Sequence, residues 1–151
     1  METPIEMLKR VGHATTRFSP QAAALGITLE HVEIAEARMR LPYDPRIVGD
    51  PDSGVIAGGA VTTLLDHVCG QAVWAALNSW TPIATLDLRI DYMRAAEPGK
   101  DVLAQAHCYK LTRHVGFVRA TAYDASPDDP VATAQAAFAL NRPGSKGSSA
   151  A

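Results

Sequence analysis

In the stretch GVIAGGAVTTLLDHVCGQAV, residues 54–73, a glycine pair at Gly58 and Gly59 opens an apolar run that carries one carboxylate, Asp66. From Gly58 to Asn78 there is no Pro, Lys, Arg or Glu, so the run reads as one long and largely buried helix. At 100° per residue Val61, Leu64, Val68 and Ala75 share one side, and Gly59, Thr62, Thr63, Asp66, Cys69 and Gly70 share the other. Thr62 and Gly70 stand one turn to either side of Asp66, so a reactant has room to reach the carboxylate. An unpartnered charge in such a helix costs free energy. Two uses remain for it: a structural group held by Thr62 or a neighbouring strand, or a group that does chemistry. The glycine pair offers a second chemical resource, because free N–H groups and the positive end of a helix dipole suit an anion developing on a reactant oxygen. The same glycines also serve simply to start a helix or let a strand pack close. Gly58 and Asp66 are eight residues apart, about 12 Å along one helix, too far for both to touch one carbonyl. His67 lies 100° around the helix from Asp66 and reads as a core histidine. Cys69 and Cys108 lack metal-ligand spacing and read as reduced, buried thiols.

The elements that must position these residues follow from periodicity. A short amphipathic helix is predicted over 4–12, entered at Pro4 and ended at Gly12, as a lid or a packing arm. Residues 27–41 alternate with a change of face near His31, which predicts one long strand with a bulge. Residues 42–54, rich in Pro, Gly and Asp, read as a loop ordered by turns. After Pro82 the period becomes two, placing Ala84, Leu86, Leu88, Ile90 and Tyr92 on one face and Thr85, Asp87, Arg89 and Asp91 on the other. Three further strands are predicted within 101–111, 114–125 and 130–141, joined by short turns. The small, polar stretch 143–151 is expected to be disordered. The class is therefore α+β, with an antiparallel sheet of about five strands covering one long helix in a single domain over 1–142.

Composition narrows the function. A chain of 151 residues, 47% hydrophobic and 20% charged, has the apolar material for one real core. A net charge of -2 without a basic stretch argues against nucleic acid. No stretch nears 18 consecutive apolar residues, and glutamates at positions 2 and 6 interrupt any secretory signal, so no membrane partner and a cytoplasmic location are expected.

The motif GVIAGGAVTTLLDHVCGQA, with the later TLDLRIDYMRAAEPG and LTRHVGFVRATAYD, resembles the PaaI-like acyl-CoA thioesterases of the hotdog fold over residues 20–141. The resemblance implies that Asp66 is the nucleophile or the base that activates water. It also implies that the Gly58 N–H polarises the thioester carbonyl and that Thr85 hydrogen-bonds the attacking water. The family builds this site across a two-fold interface, so a homodimer or homotetramer is expected. Gly59, Thr62 and Asp50 are the expected substrate contacts; Arg113, His114 and Arg89 are further candidates, near the coenzyme A phosphates in the family's pattern or, by default, solvated residues of a hairpin tip and strand face. Asp50 or Asp52 stands where the family often supplies Asn or Gln, and an inward Asp50 would favour a base over a nucleophile. Ala57 stands where the family usually carries a histidine. No metal or redox cofactor is implied, since coenzyme A belongs to the substrate. The acyl group is left open between aromatic and medium-chain. A hotdog hydratase or dehydratase and a non-catalytic acyl-CoA binder are the alternatives, and the missing histidine weighs against the former.

Overall fold

A computed structural model describes residues 1–12 and 19–141; the expected disordered tail lies outside the described residues. Helix α1 (Pro4–Val11) begins with a reciprocal cap, in which Glu6 N–H donates to Thr3 Oγ1 at 3.4 Å and Thr3 N–H donates to the Glu6 carboxylate at 2.7 Å. Leu8 on this helix is buried and α1 packs on the central helix, so it serves as a packing arm. A five-residue helix, α2 (Pro20–Ala24), was not anticipated; Ser19 caps it.

Strands β1 (Thr28–Glu33) and β2 (Glu36–Leu41) form a hairpin, which corrects the expectation of one long strand. The chain reverses at Ile34 and Ala35, with Ala35 at φ 63°. No Gly, Pro, Asn or Asp marks this turn, so the alternation runs through it unbroken. The change of face near His31 is present as a register shift between Leu29 and His31. Strands β3 (Val48–Asp50) and β4 (Val55–Ile56) pair as a small ribbon inside the predicted loop.

The central helix α3 (Gly58–Ala76) is followed by β5 (Ile83–Tyr92), β6 (Val102–Leu111), β7 (Val115–Tyr123) and β8 (Ala132–Leu140). With β1 and β2 they make one antiparallel sheet in the order β1-β2-β6-β7-β8-β5. Splitting residues 27–41 accounts for a sixth strand. Strand β5 does not pair with the strand that follows it: it lies at the far edge, bonded only to β8 among the described residues.

The sheet floors the helix with small residues. Ala37, Ala104, Ala106, Ala120, Ala122, Ala132, Ala134 and Ala136 are all buried, and this alanine face lets α3 seat Leu64, Leu65, Val68, Ala72 and Val73 without residual exposure. Each fully buried Leu or Val contributes about 1.5–3 kcal/mol. Cys69, grouped with Asp66 by helical spacing and read as a buried thiol, is fully buried and part of no disulfide. Among the described residues no helix is long and apolar enough to cross a membrane.

Candidate active site

Along the open side of α3 the exposed or half-buried residues are Gly58, Gly59, Thr62, Thr63, Asp66, His67 and Gly70. Strand β5 runs beside this face, and a bulge decides what it presents. Arg89 pairs with Gln135 and Asp87 with Ala137, but Thr85 pairs with Phe138, so Leu86 is an extra residue in the ladder. Phe138 is buried against the helix, whereas Gln135 is exposed on the outer face of the sheet. The extra residue therefore flips Thr85 from the outer face to the helix face, correcting the strict alternation that grouped it with Asp87, Arg89 and Asp91.

There Thr85 Oγ1 donates to Asp66 Oδ1 at 2.8 Å. The other oxygen, Oδ2, accepts no hydrogen bond and no Lys or Arg pairs with the carboxylate among the described residues. One oxygen is thus fixed and the other is free for a reactant.

The helix start is arranged in a complementary way. Its N-cap residue, Ala57, has no side-chain oxygen to offer, and the N–H groups of Gly58 and Gly59 have no partner among the described residues. The Gly58 carbonyl is held firmly. Tyr92 Oη donates to it at 2.7 Å, and Thr62 Oγ1 lies 3.1 Å from it and 2.5 Å from Tyr92 Oη, within reach to give its one proton to either. Sequence reasoning missed Tyr92, because an aromatic at the end of an alternating strand carries no signal of its own. A groove of about 350 Å³ opens beside Gly58, lined among others by Val55, Ile56, Val61, Tyr92 and Met93.

Other expected residues lie apart from this pair. Asp50 accepts from Ser53 Oγ at 2.6 Å and from the Asp52 N–H at 3.1 Å within its own exposed turn, bonds that hold its carboxyl below the usual range. Arg89 is exposed on the outer face and ion-pairs with Asp91 at 3.4 Å. Arg113 and His114 are exposed in the β6–β7 turn, which Thr112 closes by donating to the Val115 carbonyl. Burial pushes the His67 imidazole toward its neutral form, against the pull of neighbouring Asp66. Burial raises the Cys69 thiol to about 12, so it stays protonated and unreactive near neutral pH.

Residues 53–131, just over half of the chain, match the thioesterase superfamily. The chain belongs to that superfamily. A medium/long-chain acyl-CoA thioesterase of Salmonella typhimurium, YigI, is 31% identical over 111 residues, covering 65% of this chain and 70% of that protein. A crystal structure of a Pseudomonas aeruginosa protein superposes with a TM-score of 0.78 at 41% identity, over 88% of this chain and 98% of its own. The PaaI protein of the Escherichia coli phenylacetic acid degradation operon reaches a TM-score of 0.79 at 16% identity, over 93% and 97% of the two chains, a likeness of fold. The assignment made from the motif thus stands for the thioesterase superfamily and for the fold shared with the PaaI protein, and the superfamily's chemistry is hydrolysis of a thioester.

Proposed function

We propose that this thioesterase hydrolyses an acyl-CoA to the free acid and coenzyme A, with Asp66 as general base and the Gly58 N–H as oxyanion donor. The observation that carries the proposal is the Thr85–Asp66 hydrogen bond, which orients the carboxylate and leaves Oδ2 free. Oδ2 takes a proton from water, and the water oxygen bonds to the thioester carbon. Negative charge moves onto the carbonyl oxygen, where a preorganised N–H stabilises it. The intermediate collapses, the C–S bond breaks, and the thiolate leaves with the proton that Oδ2 took from water, which restores the carboxylate. Gly59 and Thr62 flank the reacting carbonyl, Asp50 edges the entrance, and Arg89, Arg113 and His114 are assigned to the coenzyme A phosphates.

Because the Gly58 N–H and Asp66 of one chain are about 12 Å apart, each site joins the helix start of one chain to the carboxylate of another. A two-fold pairing supplies two such sites. Edge strand β5 carries Thr85 and has a side unpaired among the described residues, which makes it the natural seam.

The test is free-thiol release from aromatic, medium-chain and long-chain acyl-CoAs by the wild-type protein and Asp66→Asn. The variant is expected to lose at least a hundredfold in kcat while keeping its melting temperature and oligomeric state. A single turnover in ¹⁸O-water should label the product acid; label appearing in Asp66 would instead make the carboxylate a nucleophile. Tight acyl-CoA binding without release of thiol, unchanged by Asp66→Asn, would make the protein a binder.

A further inference from the structure

The helix start holds a pair of glycines with no side chains to fix them, yet the proposed chemistry needs the Gly58 N–H aimed at the thioester oxygen with the flanking Gly59 amide aligned beside it. From the geometry we infer that Tyr92 is the positioning residue for this oxyanion donor, with Thr62 as its brace. The inference rests on the thioesterase reading above and extends it to a residue outside the expected set.

Three observations carry it. First, the Gly58 carbonyl lies at 2.7 Å from Tyr92 Oη and 3.1 Å from Thr62 Oγ1, with the two hydroxyls 2.5 Å apart. Thr62 reaches back one turn within its own helix, as helical threonines often do. Tyr92 arrives from a different element, 34 residues away in sequence, and therefore ties the helix start to the sheet. Second, Ala57 provides no cap, so no side chain of the helix entry fixes the first turn. Third, the Tyr92 ring lies against Gly58, where a Cβ would meet ring atoms at 3.7 Å, while the residue as a whole is 50% exposed. A half-exposed tyrosine that gives its hydroxyl to a backbone carbonyl gains little stability from the bond alone. Its effect is on orientation.

The physical route is short. The Gly58 carbonyl and the Gly59 N–H belong to one peptide plane. Fixing that plane sets ψ of Gly58, and with it the angle between the Gly58 and Gly59 N–H groups. Hydrogen bonding to the carbonyl also polarises the Gly58–Gly59 peptide and strengthens the flanking Gly59 N–H, whereas the Gly58 N–H, which belongs to the Ala57–Gly58 peptide, is served through orientation alone. Tyr92 acts through these amides and contacts no reacting atom. With the Tyr92 proton on the carbonyl, Thr62 Oγ1 gives its own proton to Tyr92 Oη and holds the phenol in place, because a free tyrosine ring at a strand end would sample several rotamers.

The experiment compares wild type with Tyr92→Phe, which keeps the ring and removes one oxygen. With an acyl-CoA that the wild type hydrolyses, kcat is expected to fall roughly five- to twentyfold with KM within about twofold. That loss is smaller than the hundredfold or more for removing an oxyanion donor itself. The second readout is the carbonyl stretch of a ¹³C-labelled thioester bound to Asp66→Asn, where turnover is slowed at least a hundredfold. The band should lie below its solution frequency in Asp66→Asn and move back toward it in the Asp66→Asn/Tyr92→Phe protein. A purely structural tyrosine would lower the melting temperature without moving that band. Equal kcat in folded Tyr92→Phe, or a band unmoved by the substitution, overturns the inference. If Tyr92→Phe does not fold, 3-fluorotyrosine at position 92 decides, since it keeps both ring and hydroxyl and strengthens the donor: a kcat above wild type supports the role, and one equal to wild type overturns it. Failure of wild type to hydrolyse any acyl-CoA would instead count against the thioesterase reading, a result distinct from either arm.

Discussion

Arg94 and Asp124 close the corner that follows β5. Arg94 gives Nη1 to Asp124 Oδ2 at 2.9 Å and Nη2 to Oδ1 at 2.7 Å, while the Asp124 side chain is only 3% exposed. The guanidinium, helped by the Glu97 N–H, holds the Asp124 carboxyl far below the usual carboxylate range. A folded state that binds the proton more weakly than the unfolded chain gains stability above the unfolded value of about 3.9. That stability is lost as pH falls below it toward the depressed folded value. Urea denaturation should therefore show the wild type weakening steeply below about pH 4. Asp124→Asn should be less stable at pH 7 and much less sensitive to acid over the same range. At this scale the legible residues were those out of character with their surroundings. Asp66 showed itself as a charge in an apolar run, and Gly58 as a glycine at a helix entry. Tyr92 and Arg94 sit among residues of ordinary alternation, and what distinguishes them is a partner 34 or 30 residues away.

Among the elements, β5 shows how little displacement a site needs. With Leu86 in the ladder Thr85 faces Asp66; without it, the strand's period of two would turn Thr85 to the outer face. Deleting Leu86 should lower kcat to the level of Thr85→Val, roughly tenfold below wild type for one lost charge-assisted bond. The remaining strand should keep its pairing with β8, checked by thermal melting and circular dichroism. A deletion variant with wild-type kcat would show that the bulge does not aim the hydroxyl. Helix α3 and the later strands were legible because their periods are long and unbroken. The bulge was not, because an inserted leucine in an apolar strand leaves the pattern of residue types intact while reversing its faces. The β1–β2 turn escaped for a related reason: Ile34 and Ala35 are not turn residues, and the reversal is imposed by pairing with β6 on the other side of β2.

For the molecule as a whole, the proposed division of labour between two chains makes a quantitative claim. Gly58→Pro deletes the donor N–H at the first helical position, where proline is tolerated, and Ala57 at φ -58° and ψ 135° already suits the residue before a proline. Gly58→Pro and Asp66→Asn homodimers should each be nearly inactive. Refolding them together in equal amounts should restore about a quarter of wild-type activity, because half of the dimers are mixed and each mixed dimer has one intact site. No recovery would place the donor and carboxylate in one chain. Composition foretold a single core and little else at this scale. The route of β5 to the far edge of the sheet was illegible, since nothing in residues 93–101 says which edge the chain will join.

The uncapped start of α3 has one further meaning. Helices normally finish their first turn with an oxygen from their own chain, and this one leaves that place empty at Ala57. In the proposed reaction the thioester oxygen occupies it, so the visitor completes a piece of secondary structure that the protein leaves unfinished. Completion is best when the oxygen carries the most negative charge and lapses when the acid departs. The first turn of the helix is then most settled at the top of the reaction barrier and most frayed between turnovers, so the amide protons of Gly58 and Gly59 belong to the economy of folding as much as to that of catalysis.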